Sequence, residues 1–291
     1  MNADDFSELF RVKSNSRVRL RDYDPAWTGG RESKQELAEV IQKNLERLTS
    51  AQELLWANEQ YALLMVLQAM DTAGKDGLIK HVMSGVNPQG CQVSAFKQPS
   101  AEELDHDFLW RYSVKLPGRG RIGIFNRSHY EDVLVVRVHP EFLDRQKFPR
   151  RAHRKELWKQ RYRDITAFEE HLAQNGTVIL KFFLNISKEE QKRRLEERLN
   201  NPQKHWKFSP SDLAEREHWD EYMEAYQDAL SATSTGHAPW YIVPADHKWI
   251  SRWIVSEILV KTIQELKLKP PQLSKEQQAA LAKAKRALDK D

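Results

Sequence analysis

Asp71-Thr72-Ala73-Gly74-Lys75-Asp76-Gly77 combines carboxylates, two glycines and a lysine in one turn-forming run. An apolar stretch, 62–67, precedes it, and Leu78, Ile79, Val82 and Met83 follow at helical spacing. A strand, a Gly-Lys turn and a helix start in that order make a phosphate cradle. Backbone N–H groups of Ala73, Gly74, Lys75, Asp76 and Gly77 can converge on an anion, the helix dipole favours negative charge, and Lys75 adds a point charge. The standard form of such a loop is G-x-x-x-x-G-K-[ST], whose hydroxyl holds Mg²⁺. Here Ala69 stands at the first glycine and Asp76 at the hydroxyl position. Asp71 offers the oxygen donor that a hard cation takes. Its alternative role is a turn residue bonding its own backbone.

A second cluster is Ile122-Gly123-Ile124-Phe125-Asn126-Arg127-Ser128-His129-Tyr130-Glu131-Asp132. An apolar strand that ends in polar groups delivers them to the carboxyl edge of a sheet, where open α/β folds bind ligands. Arg127 can clamp a phosphoryl group bidentately, and Glu131 or Asp132 can supply a metal ligand. The competing reading is a surface salt-bridge cluster, and His129 beside Tyr130 is as readily a packed side chain as a base. A third cluster carries Arg193, Arg194 and Arg198, then Lys204 and Lys207, on a charged helical stretch and the loop after it. Cationic lids close over phosphates and exclude water; a plain solvated helix face is the alternative.

The elements that must position these groups follow from periodicity and turn signals. Short apolar runs at 62–67, 91–96, 122–125, 177–184 and 240–243 read as strands. Between them lie helical patterns: 33–58, a helix from the Ser100/Glu103 capping box towards Tyr112, an amphipathic stretch at 151–174, a helix from the Ser187/Glu190 capping box to about Asn200, one opened by Ser209-Pro210, and 249–266. The segment 130–138 is open, β-branched enough for a strand but placed where a helix also fits. Residues 1–30 read as an extended, basic arm. Strands alternating with helices predict an α/β fold with a parallel sheet and helices on both faces.

Composition narrows the class. The 291 residues are 40% hydrophobic with nine Trp, enough for a large core, and 46 basic against 42 acidic residues leave a net charge of only +4. The longest wholly apolar run, 61–67, falls far short of the ~20 residues of a membrane helix. Asp4, Asp5, Glu8 and Arg11 stand where a signal peptide needs an apolar core. A single cysteine, Cys91, excludes an intramolecular disulfide and a cysteine zinc cluster and fits a reducing, cytoplasmic setting.

Taken together, the Asp71–Gly77 run, Asn87-Pro88, Phe125-Asn126-Arg127-Ser128 with Tyr130, Lys204-x-Trp206-Lys207-x-Ser209-Pro210-x-Asp212, Trp219-Asp220-x-Tyr222 and Ala238-Pro239-Trp240 resemble family-2 polyphosphate kinases. The matches run in the family's order from about residue 60 to 255. Lys80 to Asn87 and Glu102 to Asp107 look most like the single-domain group acting on both AMP and ADP. The resemblance implies a P-loop kinase fold of the thymidylate-kinase kind, a five-stranded parallel sheet with an inserted helical lid at about 187–231. Residues 1–58 would form an arm and helix on a 59–268 core, with 269–291 as a tail. It further implies Mg²⁺ (or Mn²⁺), inorganic polyphosphate and adenine nucleotides as partners, neither nucleic acid nor membrane, and a homodimer or homotetramer.

Carried onto this chain, Asp71, Gly74, Lys75 and Gly77 match the family's phosphate loop. Asn126 and Arg127 match its second motif, and Arg193 to Lys207 match its lid. Some relatives have Asp where this chain has Asn126, so Glu131 and Asp132 stand as the substitute metal ligands. The expected reaction is reversible transfer of the terminal phosphoryl of polyphosphate to AMP or ADP. An ATP-dependent nucleoside monophosphate kinase and a non-enzymatic polyanion or nucleic-acid binder on a decayed loop are the rival expectations.

Overall fold

A computed structural model describes residues 3–146 and 154–289. Strands Ala62–Ala69 (β1), Cys91–Ala95 (β2), Ile122–Asn126 (β3), Thr177–Asn185 (β4) and Trp240–Pro244 (β5) form one all-parallel sheet ordered β2-β3-β1-β4-β5. All of β1 is buried, as a central strand covered on both faces must be. β1 lies between β3 and β4, with Leu67 opposite Asn126 and Ala69 opposite Leu184. That register sets the loop after β1 beside the polar residues that follow β3, at the carboxyl edge.

The principal helices are α1 (Ala38–Asn58), α2 (Lys75–Val82), α3 (Arg154–Gln174), α4 (Lys188–Asn200), α5 (Pro210–Glu217), α6 (Trp219–Thr233), α7 (Lys248–Glu265) and α8 (Lys275–Leu288). α7 packs on both α1 and α2, while α3 packs on β4 and α6, so helices cover both faces. The first three positions of the expected 151–174 helix lie outside the described residues. No helix among the described residues is long and apolar enough to cross a membrane.

Several local expectations are refined. The 33–58 helix opens with a 3₁₀ turn, Lys34–Leu37, under a Ser33/Glu36 capping box. The open segment is helical, a 3₁₀ turn His129–Asp132 and a short helix Val135–Val138, started by Ser128, whose hydroxyl accepts the Tyr130 N–H. The helix expected from Ser100 to Tyr112 breaks into Ala101–Asp105 and Trp110–Ser113, because Asp107 accepts the Leu109 N–H in a turn of its own. Ser187 caps α4, but the Glu190 side chain bonds Arg193 and Arg194 instead of closing a capping box.

The amino-terminal arm, expected to be extended, instead opens with a short helix, Ala3–Glu8, and holds a 3₁₀ turn at Leu20–Asp22; between them it runs along the free edge of β5. Val12 N–H donates to Trp240 O at 2.8 Å and Ile242 N–H to Phe10 O at 2.8 Å. An otherwise open strand edge is thereby capped. α8 is exposed throughout.

Candidate functional site

The loop between β1 and α2 carries two left-handed residues, Thr72 at φ +65° and Gly74 at +108°. Only glycine adopts the second cheaply, while a β-branched residue in the first is a strained exception. What holds the loop is Arg194 of α4. Its buried guanidinium donates to Thr72 O (3.1 Å), Ala73 O (2.9 Å), Ala245 O (2.6 Å) and Asp246 O (2.9 Å), and pairs with Glu190. Gln191 adds a hydrogen bond to Asp71 O at 3.2 Å. Arg194 is therefore corrected from a free lid cation: helical spacing places it on the inner face with Arg198, but its N–H groups are committed to the backbone.

Lys75 begins α2, and its buried ammonium donates to Ala69 O at 2.8 Å. Burial, and then the nearby Arg127, lower its pKa to about 8, against a partial offset from Asp71, Glu131 and Asp76. Asp76 accepts the Asn126 amide N–H at 2.7 Å, which joins the loop to the end of β3. Gly77 lies in the first turn of α2 with nothing near its Cα that a side chain would meet.

Arg127 is also left-handed, at φ +65°, with its N–H fixed to Leu67 O at 3.1 Å. Such a conformation costs on the order of 1–3 kcal/mol and persists only where the surroundings enforce it. Here the turn aims the guanidinium between two carboxylates: Asp71 Oδ1 at 2.8 Å and Glu131 Oε2 at 3.2 Å. Asp71 and Glu131, from separate loops, are thus gathered at one point. They are oxygen donors of the type Mg²⁺ accepts, and that ion commonly takes one or two carboxylates with substrate phosphates completing its shell. The donor set fits such a cation.

Asp132 does not join them and is corrected as a metal ligand. It is buried, accepts hydrogen bonds from Tyr112 (3.1 Å) and Gln146 (2.9 Å), and lies beside Arg161. Burial pushes its carboxyl above the ordinary range, with Arg161 opposing. Its job is to lock the turn that presents Glu131.

His129 and Tyr130 point away from the site. The buried Glu169 of α3 accepts from the Tyr130 hydroxyl (2.8 Å) and bonds His129 Nε2 (3.0 Å). Lys181 of β4 pairs with Glu169 and donates to Tyr130 (2.9 Å) and Thr233 O (2.8 Å). Burial pushes the Glu169 carboxyl up, but Lys181 and the His129 hydrogen bond more than offset it and hold it below its ordinary range. The network anchors the turn from beneath, and sequence reasoning gave no hint of it, since Glu169 reads as one more acid on an amphipathic helix.

The loop residues 69–78, with Asn126, Arg127, Glu131 and Asp132, line a cavity of about 880 Å³. Phe96, Pro99, Leu104, Tyr112, Val136 and Phe142, with Arg111 and Arg145, line it from the segments that follow β2 and β3; Arg198, Lys204, Lys207, Lys248 and Arg252 line it from the segments that follow β4 and β5, strands on the other side of β1 in the sheet. Arg198 reaches Asp212 at 2.8 Å and Lys204 pairs with Glu197, while the Lys207 ammonium lies 4.9 Å from the Trp206 ring centre. Arg193 is paired with Glu190 and mostly exposed, and it is absent from the cavity wall.

Sequence reasoning gave no role to three further groups that line the site: Asp212 and Tyr222, present only within motifs, and Tyr226, in none. Asp212, at the start of α5, has its carboxyl raised first by burial and then by Asp71, so it stands close to the loop carboxylate. Tyr222 and Tyr226 of α6 close the middle of the cavity; burial, then Glu131, raises Tyr226 well above the phenol range and keeps its hydroxyl protonated. The Ser209-Pro210 cap signalled the helix that carries Asp212, but only folding brings the helix to the loop.

Comparison with known proteins gives the family and the fold. A sequence model of the family described as polyphosphate kinase 2 (PPK2) matches residues 31–271. The chain is 50% identical over 267 residues to an ADP-polyphosphate phosphotransferase of Rhodopseudomonas palustris, covering 91% of this chain and 92% of that one. It is 48% identical over 267 residues to an AMP/ADP-polyphosphate phosphotransferase of Meiothermus ruber, covering 90% and 95%. The crystal structure of polyphosphate kinase 2 from Arthrobacter aurescens TC1 superposes with a TM-score of 0.86 at 43% identity, covering 95% of this chain and 96% of that one.

Proposed function

The chain belongs to the polyphosphate kinase 2 family, and from that premise we propose that it transfers the terminal phosphoryl group of inorganic polyphosphate to AMP and ADP, reversibly. The observation that carries the reading is the make-up of one cavity: aromatic and aliphatic side chains suited to a nucleobase from the segments after β2 and β3, cations suited to a polyanion from the segments after β4 and β5, and the phosphate loop after the central β1. A donor walled by cations fits a repeating phosphate better than the second nucleoside an ATP-dependent kinase must house. A mere binder has no need of Asp71 and Glu131 gathered on Arg127.

The attacking atom is an oxygen of the nucleotide's terminal phosphate, already anionic at neutral pH, so no strong general base is required. As it bonds to the donor's terminal phosphorus, the bond to the bridging oxygen breaks, and the shortened polyphosphate leaves as an anion. Catalysis then rests on positioning and charge neutralisation. Lys75 and the backbone N–H groups of residues 73–77 hold the transferred group. Arg127 stabilises its spreading charge, and Tyr226 can donate a hydrogen bond at the same point. Asp71 and Glu131 would hold the divalent cation, Mg²⁺ with Mn²⁺ as substitute, with Asp212 nearest to add to them. When bound, that ion neutralises phosphoryl oxygens. Phosphoanhydride is exchanged for phosphoanhydride, which is why the reaction runs both ways.

Residues 187–231 would act as the lid on the 59–268 core, with 1–58 and 269–291 peripheral to it. A single cysteine fits a reducing cytoplasm, and a homodimer or homotetramer is the expected form. The test is incubation with AMP, polyphosphate and Mg²⁺, following ADP and ATP with time. ADP followed by ATP, abolished by chelation, is the expected result. Transfer from ATP but not from polyphosphate would leave the nucleoside monophosphate kinase reading in its place.

A further inference from the structure

α5 brings Asp212 to the phosphate loop, yet none of its residues is buried and Leu213 is exposed, so apolar packing does not decide where this helix lies. Polar bonds do. Arg198 reaches Asp212 at 2.8 Å, and Arg216 donates to Lys188 O at 2.8 Å and to Gln191 Oε1 at 2.7 Å. These partners all belong to the segment between β4 and β5. A further bond of α5 leaves that segment: Glu215 Oε2 lies 2.8 Å from Nε2 of His139, which follows β3.

A carboxylate only accepts, so the imidazole proton of this bond sits on Nε2. The same Glu215 oxygen accepts the Tyr222 hydroxyl at 2.5 Å; burial, and then that hydrogen bond, raise the phenol and keep it a donor. His139 is itself held firmly. It ends the short helix Val135–Val138, where its N–H donates to Val135 O at 2.8 Å and its carbonyl accepts the Phe142 N–H at 3.0 Å. The rings of Phe142 and His218 stand 5.6 and 5.0 Å from its own. Val136 and Phe142 line the cavity on one side of this contact, and Asp212, Glu215 and Tyr222 line it on the other. His139 is not part of the wall, so whatever it does for the reaction passes through Glu215.

We propose that His139 is a positioning residue for phosphoryl transfer: through Glu215 it ties α5 to the segment after β3 and so keeps Asp212 beside Asp71. The inference rests on the phosphotransfer reading of the site. It gives the chain after β3 two tasks. Arg127 and Glu131 meet the phosphate loop, and His139, eight positions beyond Glu131, fixes the helix that faces them.

The experiment compares His139→Ala with His139→Gln, whose side-chain amide can still donate to Glu215. In His139→Ala the amides of residues 211–217 should exchange with deuterium about tenfold faster, and kcat with ADP, polyphosphate and Mg²⁺ should fall about tenfold, the order that one hydrogen bond to a charged group is worth. The Kd of ADP, read by calorimetry, should move less than about twofold, because the lost bond serves the reacting complex and not the resting one. His139→Gln should restore most of the rate and of the protection. Glu215→Ala cuts the same bond from the side of α5 and stands in should His139→Ala not fold; the two together should lose little more than either alone. Unchanged exchange over 211–217 in the Ala variants, or a kcat that falls as far in His139→Gln, overturns the inference. Parental enzyme that transfers nothing from polyphosphate overturns the functional reading, and exchange over 211–217 then still decides whether His139 holds α5. An active parent with indifferent variants removes the positioning role alone.

Discussion

At the scale of single residues, Lys75 has the most exposed consequences. In the proposed reaction its ammonium, which here donates to Ala69 O, turns to the phosphoryl group as charge moves between oxygens, and loss of one such donor costs on the order of 10²–10³ in rate. Lys75→Ala should fall by that factor in kcat with polyphosphate while its circular dichroism stays that of the parent. The lysine also gives a pH signature. Its pKa in the fold is about 8 against 10.5 ordinarily, so between those values the unfolded chain holds a proton that the native chain lacks, and this residue's contribution to stability rises with pH across the window. Polyanion binding raises the pKa again, so above about pH 8 it should draw in a proton, read by calorimetry in buffers of differing ionisation heat and largely lost in Lys75→Met. The carboxylates separate cleanly as well. Asp71→Asn and Glu131→Gln should each raise the Mg²⁺ concentration that gives half-maximal rate, whereas Asp132→Asn, whose oxygens face Tyr112 and Gln146, should leave it in place. A metal titration on the three variants decides which carboxylates hold the ion.

At the scale of elements, the site is a strained loop braced from two sides. From the side of α4, Arg194 ties four carbonyl groups together; Arg194→Ala leaves them without that donor and should cost about 3 kcal/mol of stability, with slower turnover at saturating concentrations of both substrates. Arg198→Ala with Lys204→Ala should instead act mainly on the KM for long polyphosphate. Urea unfolding beside steady-state kinetics on the same preparations tells the brace from the cations at the cavity wall. Beneath the turn after β3, the buried Glu169–Lys181 pair and its hydrogen bonds to His129 and Tyr130 hold the turn that aims Arg127. Breaking either partner strands a buried charge, so Glu169→Gln or Lys181→Met alone should lose about 3–5 kcal/mol, and the double variant less than the sum. A double-mutant cycle from denaturant unfolding returns the coupling directly.

At the scale of the whole molecule, function sits on one edge of one sheet, and the periphery is dispensable in proportion to its exposure. α8 is exposed at every described position, so a chain ending at residue 272 should keep the parental melting temperature and kcat; a drop in either would mean the tail contacts the core or another copy. The sequence by itself determined the five strands and their alternation with helices, because apolar runs bounded by turn residues are local signals. It also placed the loop at Asp71–Gly77 between a strand and a helix, and Arg127 just past the end of another strand, because a contiguous run of backbone carries both signals. The tertiary structure alone decided which charges are free. Arg194 and Arg198 look alike at helical spacing, yet one meets carbonyl groups contributed by residues 72, 73, 245 and 246 and the other meets Asp212 at the cavity wall. Glu131 and Asp132 are adjacent in the chain, and only the turn's hand sends one to Arg127 and the other into the core. Lys248 and Arg252 carried no motif at all. Whether a charged side chain is a brace, a ligand or a solvated tip depends on what lies across the gap from it, and that is set by packing between elements far apart in sequence.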